Sequence, residues 1–243
     1  MRVLFAISHP GFLRNFESGL RALLRRGHAV HVVLERDADT DSIGGAALQV
    51  LERAGADGAL THAVSRALFD SEWSALTRQL RMARDFWRYV DPLYDGARLL
   101  RERVRAETPA FATGLLAAPL LRPVADRVVH AVERRLPLPA AVSQLLDEAR
   151  PEAVIVTPLV YIGSDQVQLL RAARLRGIPV VYAAGSWDHL TTKGLVHDLP
   201  DVAVVWNEAQ RDECVKWHHV PAERVQIAGA QAFDHWFDQR PLV

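Results

Sequence analysis

The stretch "GSWDHLTTKG" (185–194) places an acid, an imidazole, an indole and a cation close together, directly after an apolar run. Asp188 and His189 could act as a base and its orienting partner, or as two ligands of a metal ion. A metal site needs more ligands in a fixed geometry, and the other histidines of the chain form no such motif. We therefore predict no metal, and we take Asp188 and His189 as catalytic candidates.

A third catalytic candidate, His9, follows the first apolar run in "SHPGF" (8–12). Gly11 opens the next helix, where backbone N–H groups can approach an anion. Arg14 stands in the first helical turn, where the dipole disfavours a cation unless it faces a phosphate or carboxylate. Simpler alternatives stay open, since His9 could hydrogen-bond within a turn and Arg14 could be solvated. The stretch is neither a G-x-G-x-x-G motif nor a P-loop.

Similar polar segments follow two further apolar runs, in "TPLVYIGSD" (157–165) and "WNEAQ" (206–210). Covalent hydrolysis is disfavoured, because Ser8 and Ser164 lack a G-x-S-x-G elbow and Cys214 lacks an adjacent base. The predicted ligand-binding residues are Gly11, Arg14, Ser186, Trp187, Lys193, Asn207 and Glu208.

Strands and helices alternate at the start of the chain. "VLFAIS" (3–8) and "HAVHVVLE" (28–35) predict two strands. A helix is predicted from residue 12, from the three- and four-residue spacing of Leu13, Phe16, Leu20 and Leu23. Gly27 is predicted to end that helix as a C-cap residue.

The last third of the chain repeats this pattern. Strands are predicted at 153–160, 178–184, 202–207 and 224–230, and helices at 165–176 and 208–218. Near-continuous apolar strands are typical of parallel sheets that are covered on both faces. We therefore predict a doubly wound, mainly parallel α/β sheet of the Rossmann type, whose carboxyl edge brings the polar segments together.

Residues 70 to 150 are predicted to form a helical insertion packed on this sheet. An apolar stripe is formed by Trp73, Leu76, Leu80, Ala83, Trp87 and Val90. The arginines Arg78, Arg81, Arg84 and Arg88 fall mostly off the stripe and are predicted to be solvated. Acidic residues among these arginines argue against a nucleic-acid-binding stripe.

Composition narrows the class of protein further. The chain has 243 residues and a formal net charge of zero, so no global field favours nucleic acid. Its single cysteine, Cys214, excludes an intrachain disulfide and suits a reducing compartment. Since no apolar stretch reaches the length of a membrane-spanning helix, we predict no membrane span and a cytoplasmic location.

The C-terminal stretch "VPAERVQIAGAQAFDHW" resembles the end of the N-terminal domain of GT-B-type sugar-nucleotide enzymes, such as UDP-GlcNAc 2-epimerases and polysaccharide glycosyltransferases. In those families a similar segment leads into the interdomain hinge. The N-terminal stretch is also similar to the first strand, helix and second strand of such glycosyltransferases. Many natural-product members carry a catalytic histidine after the first strand, where this chain has Phe12, with His9 three residues earlier.

The resemblance implies a GT-B acceptor-side domain over residues 1–230, with the start of a hinge at 231–243 and the C-terminal nucleotide-binding domain missing from this chain. It implies a nucleotide-sugar as co-substrate, a small-molecule or glycan acceptor, and no covalently bound cofactor. Trp187 would then stack on a sugar or close against the second domain. On this interpretation the chain alone is inactive.

Two alternatives stay open. A non-hydrolysing UDP-GlcNAc 2-epimerase shares the fold and the hinge, and would use carboxylates for proton transfer at the sugar ring. A single Rossmann-like module could instead bind a ligand or partner without chemistry.

Overall fold

The computed structural model describes residues 1–36, 42–114 and 117–237. Seven parallel strands form one sheet in the order β3-β2-β1-β4-β5-β6-β7. The strands are β1 Arg2–Ile7, β2 Ala29–Leu34, β3 Leu60–Val64, β4 Ala153–Thr157, β5 Val180–Ala183, β6 Val202–Val205 and β7 Val225–Ile227.

Helices cover both faces of the sheet. They are α1 Glu17–Arg25, α2 Ser42–Gly55, α3 Ser74–Tyr89, α4 Arg98–Glu107, α5 Ala110–Thr113, α6 Arg122–Arg135, α7 Ala140–Ala149, α8 Gln166–Leu175, α9 His189–Thr192, α10 Glu208–His218 and α11 Asp234–Phe237. One face of the sheet forms a core with α1 and α2, and the other forms a core with α7, α8 and α10. The predicted doubly wound α/β fold is confirmed. None of the helices in the described ranges is long and apolar enough to cross a membrane.

The first helix begins later than predicted. Residues Pro10–Asn15 form a 3₁₀ turn, and α1 starts only at Glu17. Leu13 and Phe16 are nevertheless buried in the turn and at the helix N-cap. Apolar spacing alone therefore located the buried side chains but not the start of the helix. Gly27 has φ 78°, which suits the predicted end of that helix.

Strand β3 and helix α2 were not predicted. Leu60 is half-buried and the other four residues of β3 are exposed, because the strand lies at the edge of the sheet. An exposed edge strand has no continuous apolar run that could be recognised.

The prediction of a solvated arginine face on α3 holds for Arg78, which is exposed, but was wrong for Arg81 and only partly right for the half-buried Arg84 and Arg88. Arg81 is fully buried, with Asp165 at 3.2 Å and Glu133 at 3.6 Å. Helix α3 is central to the insertion and packs against α4, α5 and α6 around a core of its own. Arg81, Asp85 and Arg88 of its polar face are directed at the carboxyl edge of the sheet.

The fully buried carboxylate of Asp85 joins α3 to two loops at this edge. Oδ2 accepts a hydrogen bond from the Gly163 N–H (2.7 Å), and Oδ1 accepts one from the Leu195 N–H (2.6 Å). His197 Nε2 lies 2.9 Å from Oδ1, although without well-angled hydrogen-bond geometry. Burial raises the pKa of Asp85, but His197 and the two N–H donors outweigh burial and hold that pKa below its ordinary value.

The end of the "SWDHLTTKG" stretch is shaped by this carboxylate. A Cβ at Gly194 would lie 2.7 Å from Asp85 Oδ1 and 2.8 Å from the Tyr161 carbonyl oxygen, so no side chain fits there. Arg88 donates to the carbonyls of Leu190 and Gly194, and Tyr89 donates to that of Lys193. We call Asp85, Arg88 and Tyr89 the α3 clamp, since they fix residues 190–195 to the insertion.

Replacing Asp85 by Asn is expected to destabilise the fold by about 2–4 kcal/mol, because one buried N–H loses its acceptor. The low folded-state pKa of Asp85 stabilises the wild type above pH ~4, and this contribution is lost as the pH falls through that pKa. The variant should lack this acid-dependent loss. Urea unfolding at neutral and acidic pH measures both effects. Asp95→Asn, at an exposed ion pair with Arg101, is the control and should change stability by less than about 1 kcal/mol.

Candidate functional site

The candidate site lies at the carboxyl edge of the sheet, where the strand order reverses between β1 and β4. Ser8 follows β1, and its N–H donates to the Thr157 carbonyl at the end of β4 (3.0 Å). Glu35 follows β2, and its N–H donates to the Ile7 carbonyl (3.1 Å). Since β1 and β2 run parallel and in register, Ser8 and Glu35 lie side by side on the same face.

Gln166, the first residue of α8, ties these strand ends together. Its Nε2 donates to Glu35 Oε1 (2.7 Å), to the Thr157 carbonyl (3.0 Å) and to the Ala6 carbonyl (3.3 Å). We call Ser8, Glu35 and Gln166 the switch-point cluster.

The carboxyl group of Glu35 titrates near neutrality. It keeps partial access to solvent, yet desolvation raises its pKa to about 7. The hydrogen bond from Gln166 opposes this shift, while the negative charge of Asp165 adds to it. A carboxyl group with a pKa of about 7 can hold or release a proton at physiological pH, which is the property required of a general acid or base.

Three buried oxygens near this point have no hydrogen-bond partner within the described residues. They are Ser8 Oγ, Thr157 Oγ1 and Gln166 Oε1. Buried polar atoms are normally satisfied, so these three unpaired oxygens make the surroundings of Glu35 unusual. All three are enclosed by the protein, and Glu35 is the group of the cluster that keeps partial access to solvent.

His189 lies buried next to two aromatic rings. Its Nδ1 accepts a hydrogen bond from the Gly185 N–H (3.3 Å), and its ring contacts those of Phe12 and Tyr161 at centroid distances of 5.4 and 6.4 Å. Desolvation lowers the pKa of His189 to about 4, although the charge of Asp188 opposes that shift. The imidazole is therefore neutral at pH 7 and carries its proton on Nε2, which has no partner in the described part of the chain.

Asp188 is held by its own loop. Its carboxylate accepts hydrogen bonds from Ser186 Oγ (2.6 Å) and Thr192 Oγ1 (2.9 Å), and Lys193 Nζ lies 3.4 Å away. Partial burial raises the pKa of Asp188, but these partners outweigh it and lower the pKa overall. The structure does not place a hydrogen bond between Asp188 and His189, so each of them is positioned by separate partners. Trp187 is 72% exposed beside them.

Four other predicted site residues have local structural partners. His9 is the N-cap of the first 3₁₀ turn, and its Nδ1 accepts from the Gly11 N–H at 3.1 Å. That N–H is therefore already paired within the turn. Asn207 is the N-cap of α10, where its side chain accepts from the Gln210 N–H at 2.9 Å. Glu208 is exposed and lies 3.4 Å from Arg211.

Arg14 and Ser186 line a surface cavity of about 810 Å³ at the same edge. We call it the hinge-side cavity, because residues 231–234 and Trp236 of the predicted hinge form part of its wall. Phe233 contacts the ring of Trp206 there at a centroid distance of 6.2 Å. Residues 238–243 of the predicted hinge lie outside the described residues.

A second cavity, of about 430 Å³, opens at the opposite, amino edge of the sheet. It is lined by the starts of β1, β2 and β3, including Arg2 and Leu60. His31 also lines this cavity, and its Nδ1 is hydrogen-bonded to Thr61 Oγ1 at 2.8 Å. The buried groups with shifted pKa values and free polar atoms described above lie at the carboxyl edge instead.

Sequence reasoning missed Glu35, Gln166 and Tyr161. Glu35 is the last residue of the predicted strand "HAVHVVLE". An acidic residue at the carboxyl end of a parallel strand lies where ligands bind, and this position could have indicated a site residue. Among the described residues, no group of three or more His, Cys, Asp or Glu side chains is arranged to hold a metal ion.

Comparison with known proteins places the chain in no family. No family model and no curated protein matches it. A solved structure, the glycosyltransferase VinC in complex with dTDP, is 16% identical and aligns with 78% of this chain at a TM-score of 0.33. The alignment spans 36% of the length of VinC. So distant a likeness supports no conclusion about activity, and the fold assignment rests on the sheet itself.

Glu35→Gln is expected to change how stability depends on pH. Because the folded-state pKa of about 7 exceeds the unfolded value, ionisation of Glu35 lowers wild-type stability as the pH rises from ~4.5 to ~7. The variant cannot ionise and should gain up to about 3 kcal/mol relative to the wild type by pH 8. Thermal and urea unfolding across this range measure the difference. Glu52→Gln, at an exposed position on α2, is the control; an equal gain there would contradict the assignment.

Proposed function

We propose that this chain is the acceptor-side domain of a sugar-transferring enzyme that uses a nucleotide-sugar as co-substrate. The observation that carries the proposal is Glu35, a carboxyl group with a pKa of about 7 beside the unpartnered oxygens of Ser8 and Gln166. The similarity of both chain ends to GT-B-type enzymes supports the same function.

In the proposed reaction, Glu35 accepts the proton of an acceptor hydroxyl. The oxygen of that hydroxyl forms a bond to the anomeric carbon of the donor sugar, and the bond from that carbon to the phosphate oxygen breaks. The leaving nucleoside diphosphate takes the bonding electrons. Within the switch-point cluster, the partly accessible carboxyl group of Glu35 is the group that an acceptor hydroxyl would meet, because the oxygens of Ser8 and Gln166 are enclosed.

Other residues of the edge would bind the remaining parts of the substrates. Trp187, whose indole is exposed, offers an aromatic face for stacking on a sugar ring. His189 offers a neutral N–H donor. Arg14, exposed at the hinge-side cavity, has no ion-pair partner among the described residues and would face the diphosphate of the donor. A second, nucleotide-binding domain would supply most contacts to the donor.

Glu35→Gln is expected to lower the turnover number about 10²- to 10⁴-fold in the protein encoded by the whole reading frame, while the variant stays folded because removing the ionisable group does not destabilise it. His9→Ala and Asp188→Asn should also lower turnover. The assay follows release of nucleoside diphosphate from UDP-, GDP- and dTDP-sugars in the presence of a panel of glycan and small-molecule acceptors. Glu52→Gln is the matched control and should retain wild-type turnover. Normal turnover in Glu35→Gln would remove this residue from the mechanism.

A proton-transferring carboxyl group would also suit a non-hydrolysing sugar-nucleotide epimerase. The same assay therefore includes an arm without acceptor, in which UDP-GlcNAc is followed by NMR. Epimerisation without acceptor that depends on Glu35 would replace transfer as the function of the site.

A further inference from the structure

Helix α6 exposes an apolar stripe on its outer face. The stripe and the exposed fractions of its residues are Leu121 41%, Val124 58%, Val128 55% and Val132 43%. Residues spaced by three and four positions lie on one side of a helix, so these side chains form a continuous band. The residue before the stripe, Leu120, is 91% exposed.

Both carboxylates of α6 are directed inward, away from the stripe. Asp126 forms an ion pair with Arg84 of α3 at 2.8 Å. Glu133 is buried, with Arg81 at 3.6 Å and Arg171 at 3.8 Å. Each negative charge of the helix is therefore compensated by an arginine of a neighbouring helix, with Asp126 partly exposed and Glu133 buried.

The outer face of α6 carries only positive charge. Arg127, Arg134 and Arg135 are exposed, and none of the three makes an ion pair within the described ranges. The whole chain has a formal net charge of zero, so this face is a local concentration of cations beside exposed apolar side chains.

We infer that the outer face of α6 binds the surface of an anionic lipid bilayer. The apolar stripe would enter the boundary between headgroups and acyl chains, while the arginines reach the lipid phosphates. A second copy of the face is a poor partner, because three arginines would oppose three arginines. The stripe contains only Leu and Val, without the aromatic anchors that dominate protein–protein interfaces, and a fluid surface requires no shape complementarity.

Flotation with vesicles tests this inference directly on the chain. Vesicles of phosphatidylcholine with roughly 30% phosphatidylglycerol should carry the chain at low salt, whereas pure phosphatidylcholine vesicles should not. Val128→Asp should weaken partitioning about tenfold or more. The triple variant Arg127→Gln, Arg134→Gln, Arg135→Gln should weaken it about 100-fold. Since all four side chains are exposed, circular dichroism should show an unchanged fold.

Leu48→Asp is the matched control, because Leu48 is an exposed apolar residue on α2, a helix that packs on the other face of the sheet from α8. It should float like the wild type. Absence of flotation, equal binding to both kinds of vesicle, or equal loss in Leu48→Asp would overturn the inference. A dimer in sedimentation that Val128→Asp dissociates would assign the face to a second copy of the chain. Capture of an acidic protein without vesicle binding would assign it to that partner instead. None of these results bears on the transfer assay, so this inference and the proposed function can fail separately.

Discussion

The buried carboxylate of Asp85 is the contact on which the arrangement of the carboxyl edge depends. It holds one backbone N–H from the loop after β4, at Gly163, and one from the loop after β5, at Leu195. A carboxylate removed from water costs several kcal/mol unless such partners compensate it. Because both loops share this anchor, neither can leave it without exposing a buried charge. The polar residues between them, including Asp188, are thereby held in one arrangement.

Asp85, which is fully buried, and Glu35, which is half-buried, have opposite pKa shifts because their surroundings differ. Asp85 receives two backbone N–H groups and faces His197, and these outweigh burial, so its pKa is lowered. Glu35 receives one hydrogen bond, from Gln166, and burial dominates, so its pKa rises to about 7. The first remains charged and stabilises the fold. The second can exchange a proton at neutral pH, which is the pattern expected of a group in a reactive site.

Strands could be predicted from the sequence wherever several consecutive residues are buried. The strands that form the two cores are apolar runs, so the parallel sheet and its carboxyl edge could be predicted. The exposed edge strand β3 has no such run and could not. The burial of Arg81 and Asp85 was also unpredictable, because their partners Asp165 and Leu195 lie far away in the chain. His9 and Asn207 were predicted as site residues because they follow strands. In the structure both side chains cap the start of a helix or helical turn.

The most direct test of the account is backbone amide NMR of the chain during titration with nucleotide-sugars and simple glycosides. We expect chemical-shift changes at Ser8, Glu35 and residues 185–193 at roughly millimolar ligand, with no change in the amino-edge cavity near Arg2 and Leu60. Shifts confined to the amino-edge cavity, or no shifts at the carboxyl edge with any of these ligands, would contradict the claim that this edge is the functional face of the protein.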